Sequence, residues 1–338
     1  MFRLFLSLRL LFAIGGVIFL ILVPVFFTVP FIIYMGTLVL LWTIICLSLN
    51  LIFGYAGQLS LAHGGLFGIG AYTYAILATK LGMNFWLAFP IGGLVAGILG
   101  FLIGVPSLRL RGPYFAIVTI GFNIILVAVI DALEGLTGGV YGLRGIPIPS
   151  TIYGPFFTVN FESKISQYYL VLFFLLLFWL VMYLVRNSQA GRCLIAVKKD
   201  EELCKSVGIN TMGIKIQCFV LSSILAGLGG VLYASYIGVI TAYDASFHIG
   251  FSALVYLTVG GVGTIAGTIV GPLIMITISE LLQAMVEVRQ LVNGLVLVVL
   301  IIYMPRGVVG EIVYLWKRYL LPRIEVKNIK DKMNGTSY

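Results

Sequence analysis

The run VLFFLLLFWLVMYLV, residues 171–185, contains no charged side chain. Extended to about 20 residues and helical, such a run matches the ~30 Å hydrocarbon core of a bilayer. Within lipid, every backbone N–H and C=O must be satisfied by protein, which restricts a spanning chain to helices or a closed barrel. Comparable runs recur at roughly 10–29, 31–50, 62–80, 86–105, 114–132, 167–185, 214–237, 249–265, 266–286 and 289–305. None has a charge near its centre. An apolar residue favours insertion by about 0.3–0.6 kcal/mol and a central Lys, Arg or Asp costs about 2.5–3.5 kcal/mol, so insertion wins in each run. The expected fold class is all-α, a polytopic transmembrane helix bundle of about ten spans. Charged residues make up 10% of the chain, against roughly 25% in soluble domains, which excludes a soluble core of this size.

The first run follows Arg3 and Arg9, as a signal peptide would, but it is too long for an h-region and no A-x-A site follows it. It reads as a retained span. With the N-terminus inside and the spans alternating, all but four of the 21 Lys and Arg residues fall on the inner side; the exceptions are Lys80, Arg144, Lys164 and Arg289. This asymmetry predicts cytoplasmic termini. It also assigns the net charge of +9 to membrane orientation and the lipid bilayer rather than to nucleic acid. The expected organisation is a transmembrane domain over 1–305 and a basic cytoplasmic tail over 306–338. The domain carries an outer loop at 133–166 and a charged inner loop at 186–213.

Two glycine-rich stretches interrupt the apolar pattern. GYAGQLSLAHGG, residues 54–65, adds Gln58, Ser60 and His63 to its glycines, and VGGVGTIAGTIVG spans 259–271. Irregular backbone at membrane depth survives only inside protein or along a water-filled cavity. The expectation is a broken or re-entrant segment near 54–65 and near 259–271. For the first stretch, an ordinary cytoplasmic turn capped by Ser60 is the alternative. Gly54, Gly57, Gly64, Gly68, Gly260, Gly261, Gly263 and Gly267 are expected to serve close helix packing or bending.

Motifs for soluble chemistry are missing. No G-x-x-x-x-G-K-[ST] loop is present, no G-x-S-x-G elbow, and the two histidines, His63 and His248, lie far apart. Catalytic residues, metal ligands and a cofactor of the chain's own are therefore not expected. In the inner loop, RCLIAVKKDEELCKSVG (192–208) interleaves an apolar stripe with charges of both signs and ends at Gly208. Mixed charge favours docking on a partner protein over lying on lipid.

Taken together, GYAGQLSLAHGGLFGIGAY (54–72), RGPYFAIVTIGF (111–122), LTGGVYGLRGIP (136–147), NSQAGRCLIAVKKDEELCKSVGIN (187–210), AGLGGVLYASYIG (226–238) and VGGVGTIAGTIVGP (259–272) resemble, in order, the permease family of binding-protein-dependent ABC importers for branched-chain amino acids. The chain is similar to the M-type of that family's two permease subunits. The resemblance implies a prokaryotic plasma (inner) membrane location and a second homologous permease. It also implies two cytosolic ATPase subunits that bind ATP and Mg, and an extracytoplasmic solute-binding protein. It implies that the inner loop is the ATPase-coupling segment, with Arg192, Lys198, Lys199, Asp200, Glu201, Glu202 and Gly208 as its candidate residues. Glu202 and Gly208 keep the E-x5-G spacing of such segments, while Leu203 and Cys204 replace the usual small residues. Gln58, Ser60, His63, Thr119 and Asn123 are the candidate polar groups of the substrate pathway, with helix–helix hydrogen bonding as the alternative role. Leucine, isoleucine and valine are the expected cargo; urea, short amides or other amino acids are the alternatives within the family. An ion-coupled secondary transporter or channel is the alternative outside it, disfavoured because no acidic residue lies near a span centre.

Overall fold

The computed structural model describes residues 15–27, 29–110, 112–153, 158–281, 294, 295, 298, 302–304 and 306–319. Its helices are α1 (Gly15–Phe26), α2 (Pro30–Leu49), α3 (His63–Lys80), α4 (Phe85–Ser107), α5 (Pro113–Ala132), the single turn α6 (Glu134–Thr137) and α7 (Lys164–Asn187). There follow α8 (Gln189–Lys199), α9 (Glu201–Ser206), α10 (Thr211–Ile237), α11 (Phe247–Gly260), α12 (Gly267–Leu281) and α13 (Gly307–Tyr319). Among the described residues, five helical stretches are long and apolar enough to cross a membrane: Pro30–Tyr55, Phe85–Ser107, Pro113–Ala132, Lys164–Asn187 and Thr211–Ile237. The chain is an all-α, multi-pass membrane bundle. Most of the expected tenth span, the start of the first and the tail beyond 319 lie outside the described residues.

Short polar side chains start the helices where the chain turns back into the bundle. Asn84 accepts from Trp86 N, Ser163 from Ile165 N, Ser188 from Gly191 N and Asn210 from Gly213 N. Each satisfies one of the amides that a first turn leaves unpaired.

The centre of the bundle is the trio α3, α4 and α10. Between lipid-facing helices there is no hydrophobic driving force, so close backbone approach through small residues must do the work. Gly93, Gly97, Gly100 and Gly104 recur at helical spacing on α4. A Cβ on any of them would meet Leu228, Ile224, Ser223 or Phe219 of α10 within 3 Å. On the other side of α10, a Cβ on Gly230 would lie 1.9 Å from Phe67 O of α3. α2 is apolar all round and mostly buried, against α7, α10 and α12.

Two faces emerge. On one, the 133–166 loop covers the ends of α3, α4 and α10. Tyr74 Oη donates to Pro147 O (2.6 Å), Trp86 Nε1 to Ser150 O (3.1 Å), and Lys80 to Gly135 O. The strand β1 (Leu143–Arg144) pairs antiparallel with β4 (Val239–Ile240), and β2 (Ile152–Tyr153) with β3 (Thr158–Val159). On the opposite face lie α8, α9 and both helix breaks.

The first break differs in detail from the expected 54–65 segment. α2 does not stop at the glycines; it continues as a π-helix through Asn50–Tyr55, and α3 starts at His63. Only the residues between are unwound, so Gly54 belongs to the widened helix and Gly64 and Gly68 pack within α3. Ala62, not Ser60, occupies the N-cap, and it makes no side-chain bond there. The second break, 261–266, is a turn between α11 and α12. Gly261 and Gly263 adopt φ of 122° and 80°, where a Cβ is strained. Gly263 therefore lies outside any helix, and Gly263–Gly267 is not a helix-packing step. α11 rises about 21 Å at ~1.5 Å per residue, short of the ~30 Å slab that its expected span was to cross.

The backbone contact at Gly230 yields a stability prediction. Gly230→Val should cost at least about 3 kcal/mol, the upper end of the overpacking range, because the obstruction is backbone rather than a movable side chain. Gly121→Ala, with nothing within 4 Å of its Cβ, should leave the melting temperature in detergent unchanged or slightly raised. Equal melting temperatures for the two variants would contradict the packing described.

Candidate functional site

Unwinding a helix frees backbone groups, and the structure shows where each set is satisfied. At the first break, Leu61 N donates to Thr119 Oγ1 (3.1 Å) and Leu61 O accepts from Asn123 Nδ2. Thr119 and Asn123 stand one turn apart on α5, so the helix grips a single residue of the break at both its polar groups. Thr119 Oγ1 also donates to Ala116 O (2.8 Å). His63 opens α3 with Nδ1 3.3 Å from Ser60 Oγ and Nε2 2.7 Å from Ser222 Oγ of α10. Ser60, His63, Thr119 and Asn123 are all fully buried, whereas Gln58 is half-buried.

The second break is held by α2. Asn50 Oδ1 accepts from Gly263 N (2.8 Å) and Asn50 Nδ2 donates to Thr264 O (3.2 Å). Gly54 lies one π-turn further on. A Cβ there would stand 2.1 Å from Asn50 Oδ1 and 3.0 Å from Gly263 Cα. Gly54 thus lets the π-helical turn and the second break touch.

The inner-loop element is two helices rather than one amphipathic segment. Asp200 breaks the run, because its carboxylate caps α9 by accepting from Leu203 N (3.0 Å). The expected apolar stripe accordingly divides. Leu194, Val197 and Cys204 are buried against the bundle, while Leu203 (63% exposed) and Val207 (69% exposed) project from it. Three bonds tie this element to α10 and to the π-helical end of α2. Lys198 Nζ donates to Gly54 O (2.7 Å), and its stem lies against Gly57. Glu201 pairs with Lys215 of α10 (2.6 Å) and accepts from Thr211 Oγ1 (3.2 Å). Burial alone raises the Glu201 carboxyl, but the hydrogen bonds and charges of Lys215 and Lys205 outweigh it and hold the group below its ordinary value. Arg192 Nη1 donates to Asn187 O at the end of α7 (2.8 Å), Glu202 lies 3.7 Å from Lys205, and Lys199 is exposed. Gly208 turns the chain after α9.

On the face covered by the 133–166 loop, a cleft of about 590 Å³ opens between α5 and residues 241–248. Three of its lining side chains carry a buried oxygen without a partner: Asn123 Oδ1, Asp131 Oδ1 and Ser246 Oγ. Such an orphan costs about 1–3 kcal/mol unless something visits it. His248 and Tyr243 stack at 5.7 Å on the wall.

The structure brings Ser60, His63, Thr119 and Asn123 together around the first break and places Lys198 beside it. Of the five polar candidates, only Asn123 also lines the cleft. Sequence reasoning passed over Asn50, Asp131, Lys215, Ser222 and Ser246. For Asn50 a signal existed, since a lone carboxamide in an apolar run demands a partner.

The chain matches the protein-family model described as branched-chain amino acid transport system / permease component over residues 31–304. It is 33% identical over 292 residues to the high-affinity branched-chain amino acid transport system permease protein LivM of Escherichia coli (strain K12), covering 80% of this chain and 68% of that protein. It is 27% identical over 295 residues to the corresponding LivH of Salmonella typhimurium, covering 80% and 91%. To the probable LivM of Methanocaldococcus jannaschii it is 26% identical over 327 residues, covering 81% and 93%. No solved structure matches the chain significantly.

The Glu201–Lys215 pair carries a pH sign. A carboxylate held below its ordinary value of ~4.3 contributes its full stabilisation above that pH and loses it as pH falls through the lowered value. The protection factors of α9 amides, which discount the intrinsic pH dependence of exchange, should therefore fall in wild type only as pH drops below the ordinary carboxylate range. Glu201→Gln should have lower α9 protection factors at neutral pH and lose no more of them on acidification. Because Lys215 is buried and loses its partner, the cost should be roughly 3 kcal/mol, the low end for a broken buried pair. Matching exchange profiles for the two proteins would remove the pair from the attachment.

Proposed function

The chain belongs to the family of branched-chain amino acid transport permeases, and from that premise we propose that it is one of two pore subunits of an ATP-driven, binding-protein-dependent importer of leucine, isoleucine and valine. It sits in a prokaryotic plasma membrane with both termini cytoplasmic. Two cytosolic ATPase subunits bind ATP and Mg, and a solute-binding protein delivers cargo at the face covered by the 133–166 loop.

The observation that carries this reading is the attachment of α8–α9. An element that only capped the membrane would need no ion pair into α10 and no lysine on the backbone of a broken helix. Lys198 reaches Gly54 O, and Gly54 touches the Asn50 clamp on the second break. Leu203 and Val207 present apolar tips outward, as a segment seated in a partner's groove requires. Closure of an ATPase pair pulls on that segment, and the three bonds transmit the pull to α2 and α10. Packed helices respond as rigid bodies between discrete arrangements rather than by gradual deformation.

Co-reconstitution of this chain with the second permease, both ATPases and the binding protein should give ATP-dependent accumulation of labelled leucine in vesicles. Omitting any one component should abolish it. Uptake by this chain alone, or uptake stopped by a proton uncoupler at constant ATP, overturns the proposal. Lys198→Met should lower transport per ATP hydrolysed by about tenfold, the equivalent of one ~1.4 kcal/mol charge-assisted bond, with complex assembly intact. An unchanged transport-to-hydrolysis ratio removes Lys198 from the coupling route.

A further inference from the structure

The cleft between α5 and residues 241–248 holds polar groups that the packing does not use. Asn123 is fully buried, and Leu61 O fixes its orientation by taking the Nδ2 donor. What remains is Oδ1, an acceptor with no donor. Asp131 stands two turns along the same face of α5, about 12 Å further toward the loop-covered end, and its Oδ1 is also unpartnered. Both orphans of α5 are acceptors and one belongs to a carboxylate, so they suit a cationic donor.

The opposite wall suits an anion. Ser246 is the N-cap of the fourteen-residue α11, yet its hydroxyl makes no cap bond and has no other partner. The first-turn amides and the positive end of the helix dipole lie beside it. Glycines bring the two walls together. A Cβ on Gly64 would stand 2.3 Å from Ser246 O and 2.7 Å from Gly250 N, and one on the adjacent Gly65 would stand 2.1 Å from Asn123 Oδ1. The acceptor of Asn123 and the N-terminus of α11 thus flank one dipeptide of α3, and Asn123 and Ser246, which both line the cleft, form its floor. Ile124, Val127 and Phe247 supply an apolar lining beside them.

We propose that this floor is a station for an amino-acid zwitterion, with the carboxylate against Ser246 and the first turn of α11, the ammonium against Asn123 Oδ1, an aliphatic side chain on Ile124, Val127 and Phe247, and Asp131 attracting the ammonium at the mouth. This rests on the importer reading and adds to it: the permease itself, and not only the binding protein, recognises the cargo as an amino acid.

The test uses the assembled complex of this chain, its paired permease and the ATPases, without binding protein. Saturation-transfer NMR with L-leucine should give a signal. Leucinamide, which lacks the carboxylate, and 4-methyl-2-oxopentanoate, which lacks the ammonium, should each give one about tenfold weaker or none. Asp131→Asn and Ser246→Ala should weaken the leucine signal and, in the complete transporter, raise KM for uptake about tenfold or more with assembly of the complex intact. Asp131→Glu should restore part of the loss, which a folding defect would not allow. Equal signals for leucine and both analogues, or unaltered binding and KM in both variants, overturn the station. Sodium-stimulated uptake that Asp131→Asn abolishes also overturns it, because the orphan acceptors then serve a metal cation. If the complete wild-type transporter accumulates leucine while these results fail, the importer reading stands and the station alone falls; no accumulation at all removes both.

Discussion

A peptide group at membrane depth has no water to bond, and this chain unwinds twice within its bundle. The bonds that make those breaks tolerable are few and specific. Asn50 closes on Gly263 N and Thr264 O, while Thr119 and Asn123 close on the two polar groups of Leu61. Remove them and the segments must rewind or leave the apolar interior, because an orphaned amide there costs several kcal/mol. The glycines are subordinate to that requirement. Gly54 and Gly65 give the carboxamides of Asn50 and Asn123 room to reach their targets.

From those clamps the remaining architecture follows as a lever with two ends. On one face Lys198 holds the carbonyl of Gly54, and Glu201 holds Lys215. On the other, α5 runs from its grip on Leu61 outward to Asp131, lining the cleft. Asn123 belongs to both parts, bonding the break through Nδ2 and lining the cleft with an oxygen that has no donor. A displacement of the first break is therefore felt at the cleft floor through a single side chain. This is a physical connection between the face that carries α8–α9 and the loop-covered face.

Several of these features were legible in the residues, and the misses have physical causes. The glycine clusters marked both breaks because glycine within an apolar run has no insertion advantage and must serve packing or bending. Their extent was not legible, since a π-helical continuation of α2 depends on Asn50 finding a partner more than two hundred residues away. The inner loop read as one amphipathic element; Asp200 breaks it because a carboxylate competes with the helix for the amide of Leu203. Thr119 and Asn123 stood out by their shared helix face, but spacing could not say that they grip Leu61. Asp131 was passed over because an acid at the end of a span ordinarily meets water, and only the fold reveals that one of its oxygens does not.

By itself the order of residues determined the class of solvent this protein requires, the helical character of its spans, the positions of the breaks and the segment that carries mixed charge. Those properties are local: they depend on the transfer free energy of side chains and on backbone rules that act over one or two turns. Tertiary structure decided which carboxamide serves which break, which glycines approach which backbone, and which oxygens are left without a donor. Hydrogen-bond satisfaction is a pairing between distant parts of the chain, and a pairing has no local signature.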